Sequence, residues 1–86
     1  MSYLVKILVM RKESVLDAEA KAIKNALESL GFERIRSLRY GRSYSYSTDI
    51  KTEKDARIQA EEICKKSLAN SVNEEYKITS IKKVEE

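Results

Sequence analysis

The chain has 86 residues, 36% charged and 42% hydrophobic, with 17 Lys and Arg against 14 Asp and Glu for a net charge of +3. That length suits one domain, and its periodic apolar residues and mean hydropathy of −0.52 exclude both disorder and a membrane helix, which needs roughly 20 apolar residues. A single cysteine excludes an intrachain disulfide, and the lack of histidine removes the commonest general base and metal ligand.

Residues 3–10 read as the first strand. Tyr3, Val5, Ile7 and Val9 share one face, and Leu4, Leu8 and Met10 the other, interrupted by Lys6. A strand apolar on both faces is expected to be central and covered on both sides. With two helices on one face, the second face needs another copy or a partner, so Leu4, Leu8 and Met10 are the candidate oligomer interface. The strand begins almost at the first residue, without a charged-then-apolar leader, and the expected location is cytoplasmic.

After a connection over residues 11–16, Asp17 is placed to cap a helix, with Glu19 near the positive end of its dipole. Ala20, Ile23, Ala26, Leu27 and Leu30 form a stripe at helical spacing, and Gly31 supplies the stop.

Residues 33–50 are the pivot of the chain. Two extended runs flank Gly41, a residue free to take the positive φ of a tight turn. The first run carries Arg34, Arg36 and Arg39, with Arg42 just beyond, and spaces Ile35 and Leu38 three apart, which a β-bulge brings to one face. Its arginines read either as a solvated edge protected by charge or as a basic edge for an acidic partner surface. The second run alternates strictly, with Tyr44, Tyr46, Thr48 and Ile50 on one face and Ser43, Ser45, Ser47 and Asp49 on the other.

Thr52 opens the second helix, with Asp55 in a capping-box position. Ala56, Ala60, Ile63, Cys64 and Leu68 form its buried stripe, and Ile58 lies outside it. Asn70 is placed to end the helix in a left-handed conformation. Tyr76, Ile78, Ile81 and Val84 mark the last strand, with a phase slip between Ile78 and Ile81 that predicts a bend, and residues 82–86 are expected to fray. The order β-α-β-β-α-β predicts an α+β, ferredoxin-like sandwich over residues 1–86: an antiparallel sheet with two helices on one face, oligomeric.

No constellation carries chemistry. Cys64 sits in an apolar stripe with no histidine to activate it and reads as core. The acidic residues are scattered without a paired-carboxylate signal, and two glycines make neither a phosphate loop nor a dinucleotide fingerprint. The residues describe a non-catalytic interaction domain. Two other readings share the topology. An RNA-recognition sheet would use residues 39–46, Arg-Tyr-Gly-Arg-Ser-Tyr-Ser-Tyr, but the glycine falls at the turn and residues 4–10 hold no aromatic. A small-molecule-sensing regulatory domain would place a glycine after the first strand, where residues 11–17 have none.

Two segments carry a family resemblance. Lys12-Glu13-Ser14-Val15-Leu16-Asp17 resembles the Lys-x-x-Val-Leu-Asp segment of PurS, the small subunit of phosphoribosylformylglycinamidine synthase. Leu68-Ala69-Asn70-Ser71-Val72-Asn73-Glu74-Glu75-Tyr76 is similar to that family's Leu-Ala-Asn-Pro-Val-Ile-Glu-Asp-Tyr. Ala26-Leu27, Leu30-Gly31-Phe32, Leu38-Arg39-Tyr40-Gly41-Arg42 and Cys64-Lys65-Lys66 resemble further family segments in the same order, with Ala18 and Ser71 where the family has proline.

The resemblance implies a role in purine synthesis. A glutaminase subunit releases ammonia, and an ATP-dependent synthetase joins it to formylglycinamide ribonucleotide to give formylglycinamidine ribonucleotide. This chain would bridge the two as a homodimer or tetramer. It would belong to a ligase complex while carrying no catalytic residue, cofactor or nucleic acid; ATP and Mg would belong to the synthetase. The candidate contacts with these partners are Lys12, Glu13, Leu16, Asp17, Arg36, Arg39, Gly41, Arg42, Leu68, Ala69, Asn70 and Val72.

Overall fold

The computed structural model describes residues 2–12, 17–70 and 72–85. Strand β1 (Ser2–Arg11) is followed by helix α1 (Ala18–Ser29), strand β2 (Gly41–Thr48), helix α2 (Glu53–Ile63) with a π-helical turn at Cys64–Leu68, and strand β3 (Glu74–Val84). The sheet is antiparallel in the order β2-β1-β3, so the most apolar strand is central, as its two-faced pattern predicts.

Val5, Ile7 and Val9 are fully buried and meet Ala60 and Cys64 of the α2 segment, with Tyr44, Tyr46, Tyr76, Ile78 and Ile81 packed around them. Register explains the choice of residues. Val5 lies between Tyr46 and Ile81, Ile7 between Tyr44 and Ile78, and Val9 between Arg42 and Tyr76. Thr79 is the extra residue of a β-bulge, and its hydroxyl donates to the Lys6 carbonyl at 3.1 Å. The bulge corrects the phase slip seen in sequence, bringing both Ile78 and Ile81 onto the α2 face. The strand continues through Lys82 and Lys83 to Val84, paired with Leu4, Tyr3 and Ser2, so the expected fraying does not reach these residues.

Both helix starts are capped as expected. Asp17 Oδ1 accepts from Ala20 N and Thr52 Oγ1 from Asp55 N, each at 3.1 Å. Gly31, at φ +98°, closes α1: its N–H donates to Glu28 O and that of Phe32 to Leu27 O, the paired bonds of a Schellman ending.

Three local expectations are corrected. Residues 32–40 run without turn or bend but pair with no strand among the described residues, so the first arm of the expected hairpin is not a strand of this chain's own sheet. Gly41 is the first residue of β2, opposite Met10, rather than a turn at positive φ. A Cβ there would sit 2.7 Å from Met10 Cγ and 2.8 Å from Val9 O, so close approach of β1 is what demands glycine. Asn70 is not left-handed; the π-helical turn already stops at Ala69, which is extended.

The apolar stripe of α1 also remains largely uncovered. Ala20 is buried, whereas Ile23 and Ala26 are exposed and Leu30 is 73% exposed. Three strands spaced about 4.8 Å apart span about 10 Å, room for the width of one helix. α2 occupies that width, packing on β1 and β3. The radius of gyration is accordingly 16.4 Å, against about 12 Å for a compact domain of this length.

Candidate partner-contact site

The site is built at the sheet end where β1 finishes and β3 begins. Arg42 lies opposite Val9, and Glu74 opposite Arg11, so both side chains rise on the α2 face at neighbouring levels on either side of β1. Arg42 Nη1 meets Glu74 Oε2 at 2.9 Å and Nη2 meets Oε1 at 3.1 Å, a two-pronged pair. The same guanidinium donates to Leu68 O at 3.2 Å and, through Nε, to Tyr44 Oη at 3.0 Å. Leu68 O is one of the carbonyls that the helix end leaves without an intrahelical donor, so Arg42 acts as its cap.

Glu74 in turn accepts from Asn70 N at 2.9 Å, while Glu74 N donates to Asn70 O at 2.7 Å. Asn70 Oδ1 accepts from Val72 N at 3.0 Å, which holds Val72 outward at 82% exposure. The Arg42 guanidinium and the Asn70 N–H hold the Glu74 carboxyl below its usual range. Glu74, hydrogen-bonded to Arg42, and the Tyr44 hydroxyl raise the guanidinium in return.

Arg39 works on the opposite side of the sheet end. Its Nη2 donates to Arg11 O at 2.7 Å and to Glu75 Oε1 at 3.0 Å. With Leu8, Met10 and Lys77 it lines an open groove of about 340 Å³. There the candidate oligomer row and the candidate partner edge meet on the face not covered by α2. Leu4, Leu8 and Met10 are half-buried, with Lys6, Lys77 and Lys82 set among them by register.

The structure thus gathers Arg39, Gly41, Arg42, Leu68, Ala69, Asn70 and Val72 at one corner, joined by Lys12, whose N–H donates to Asn73 O at 3.0 Å. It does not gather them all. Asp17 caps α1, and Arg36 stands apart, its carbonyl accepting from Lys24 Nζ at 3.5 Å. Glu13 and Leu16 lie outside the described residues. Glu74 and Glu75, which organise the corner, were not singled out from sequence. The available signal was an acidic pair opening a strand, but it stands 32 and 36 residues from its arginines.

Cys64 is fully buried, and desolvation, with a smaller contribution from Glu61, pushes its thiol up, away from the thiolate a nucleophile needs. The tyrosines of the strands bear on the RNA reading. Tyr44, Tyr46 and Tyr76 pack against the core on the α2 face, and β2 presents Ser43, Ser45 and Ser47 on the other. A base-stacking sheet needs aromatics on the open face. No helix among the described residues is long and apolar enough to cross a membrane.

A model of the PurS family, phosphoribosylformylglycinamidine (FGAM) synthase, matches residues 4–82. Over 75 residues the chain is 39% identical to phosphoribosylformylglycinamidine synthase subunit PurS of Bacillus subtilis, covering 87% of this chain and 88% of that one. It superposes on Methanocaldococcus jannaschii PurS, a structure described as one of the subunits of formylglycinamide ribonucleotide amidotransferase in the purine biosynthetic pathway. The TM-score there is 0.84 at 30% identity, over 96% of this chain and 99% of that one. A chain in the structure of PurLQS from Thermotoga maritima shares the fold, with a TM-score of 0.84 at 23% identity over 91% and 95% of the two chains. With its strand order, caps and family segments in place along nearly its whole length, the chain belongs to the PurS family of phosphoribosylformylglycinamidine synthase subunits.

Proposed function

We propose that the chain is a non-catalytic bridging subunit that joins the glutaminase and the ATP-dependent synthetase of phosphoribosylformylglycinamidine synthase. The PurLQS structure, which contains a chain of this fold, supports placing it beside PurL and PurQ. The observation that carries the reading is the corner itself. Arg42 and Glu74 lock the end of α2 to β3, so Asn70, Val72, Lys12 and Arg39 are presented from a rigid base. Loops held by a rigid scaffold suit recognition.

In this reading the chain is a cytoplasmic homo-oligomer, and the half-buried row of Leu4, Leu8 and Met10 is a face over which the assembly closes. ATP, Mg and the chemistry reside in the synthetase. Reconstitution of the three subunits tests this. The expected result is one complex on gel filtration, with glutamine-dependent formation of formylglycinamidine ribonucleotide requiring this chain and ammonium-dependent formation requiring it less. Glutamine-dependent turnover at the full rate without the chain would overturn the proposal.

A further inference from the structure

We propose that the cleft between the π-helical end of α2 and the start of β3 receives a two-part anchor from a larger subunit, a carboxylate side chain beside an apolar one. This rests on the bridging reading above and adds to it the place and the chemistry of one contact.

The cleft has two walls. Cys64, Lys65 and Ala69 form one, and Glu74, Glu75 and Tyr76 of β3 the other, with Lys12 also lining it. Its volume is about 310 Å³. Small-molecule sites run from about 300 to 1,000 Å³ and bury most of their ligand, so this open cleft suits one or two side chains of a docked protein better than a whole metabolite.

The walls are fixed without an occupant. Arg42 bonds Leu68 O at the end of α2 at 3.2 Å and Glu74 at the start of β3 at 2.9 Å. A partner therefore need not order them on binding. The floor is apolar: Cys64 is fully buried, and Ala69 and Tyr76 pack against the core. The loop between the walls also presents Val72, 82% exposed.

Charge decides what else the occupant carries. Both carboxylates that line the cleft are already engaged, Glu74 by Arg42 at 2.9 Å and Glu75 by Arg39 at 3.0 Å. Lys65 is exposed and forms no ion pair among the described residues. A cation beside an apolar floor matches a carboxylate beside an aliphatic or aromatic side chain. An apolar anchor seated in a preformed pocket supplies affinity, and the matched charge supplies rate and orientation. Position favours a larger subunit over a second copy. The cleft opens on the α2 side of the sheet, whereas Leu4, Leu8 and Met10 lie on the other, so an oligomer closed over that row leaves the cleft free.

Carbodiimide coupling of the reconstituted three-subunit complex tests this directly. The reagent activates a carboxylate as an O-acylisourea, and attack by the Lys65 amine forms an amide and releases the urea, so only a carboxylate in contact is joined. The expected product is Lys65 linked to an Asp or Glu of the synthetase or glutaminase, read by mass spectrometry of the digest. Lys65 linked only within this chain or to a second copy, in a complex that assembles, would overturn the proposal.

Two variants give an independent readout. Lys65→Glu reverses the exposed charge, and Ala69→Phe fills the cleft from a residue whose extended backbone accepts an aromatic. Each should weaken assembly about tenfold at low salt, and Lys65→Arg should assemble as the native chain does. The effect of Lys65→Glu should shrink as salt rises, whereas that of Ala69→Phe should persist. Because Lys65 is exposed, its variants decide the matter even where Ala69→Phe fails to fold. Native assembly and glutamine-dependent turnover in both variants would remove the cleft from the interface and leave the bridging reading standing. A change in the chain's own oligomer by sedimentation would assign the cleft to a second copy and overturn the proposal. A native chain that joins neither larger subunit would overturn both readings.

Discussion

Arg42 and Glu74 meet across β1, with Nη1 2.9 Å from Oε2, and together they secure the end of α2 to the start of β3. Glu74 is the better enclosed partner, its side chain 14% exposed against 43% for Arg42. The arginine therefore serves as an internal brace before it can serve as a docking charge.

Glu74→Gln should lower stability by about 1 kcal/mol near neutral pH, a value that allows for the solvent screening of Arg42. The sign with pH follows from the carboxyl being held below its usual range. The stabilisation is present above the unfolded carboxyl pKa of about 4.3 and is lost as pH falls through the lower folded value. Urea unfolding of both proteins at neutral and at strongly acidic pH checks this: the difference between them should shrink with acid.

Arg39→Glu is the sharper test of partner contact, because Arg42 also braces the fold. Arg39 touches Arg11 O and the half-exposed Glu75, so its replacement should cost the chain no more than about 1 kcal/mol. Assembly with the larger subunits should weaken, most visibly at low salt where the reversed charge is least screened, and glutamine-dependent turnover should fall further than ammonium-dependent turnover. Titrated reconstitution at two ionic strengths measures both. Unchanged assembly would remove Arg39 from the interface.

Cys64→Ala should leave the activity of the reconstituted complex near wild type and cost about 1 kcal/mol of stability. In the native chain the thiol should resist alkylation until denaturant is added, since it is fully buried. Because burial pushes the thiol up, its contribution to stability is present below the unfolded thiol pKa of about 8.5 and is lost as pH rises through the higher folded value. The alkaline loss of stability should be smaller in Cys64→Ala. Burial pushes the Tyr46 phenol up too, so part of the loss should remain.

The two glycines should fail for different reasons. Gly41→Ala forces a Cβ against Met10 Cγ and Val9 O, and should cost about 1–3 kcal/mol by overpacking. Gly31→Ala has open space around its Cβ but φ at +98°, and should cost about 1–2 kcal/mol from backbone strain alone. Truncating Met10 to Ala should therefore partly rescue Gly41→Ala and leave Gly31→Ala unchanged, as read from thermal unfolding of the double variants.

The sequence alone determined the features that depend on near neighbours. Period-two alternation identified β1 and most of β2, and helical spacing set the buried stripe of α2. Asp17, Thr52 and Gly31 marked helix ends because caps act within three or four residues. The phase slip between Ile78 and Ile81 even located the bulge. The family segments, in order along the chain, point to the PurS family.

Tertiary structure decided what depends on partners far apart in the chain. No local pattern showed that Glu74 would hold Arg42, or that Gly41 would be needed for the approach of Met10 and Val9, since register sets both. Residues 33–40 read as a strand in sequence, but among the described residues they are not one. A strand is stabilised by hydrogen bonds to another segment, and among the described residues the sheet supplies none there. The same limit applies to α1: the helix forms where its spacing predicts, yet Ala20 alone of its stripe is buried, because burial requires a surface that three strands are too narrow to provide.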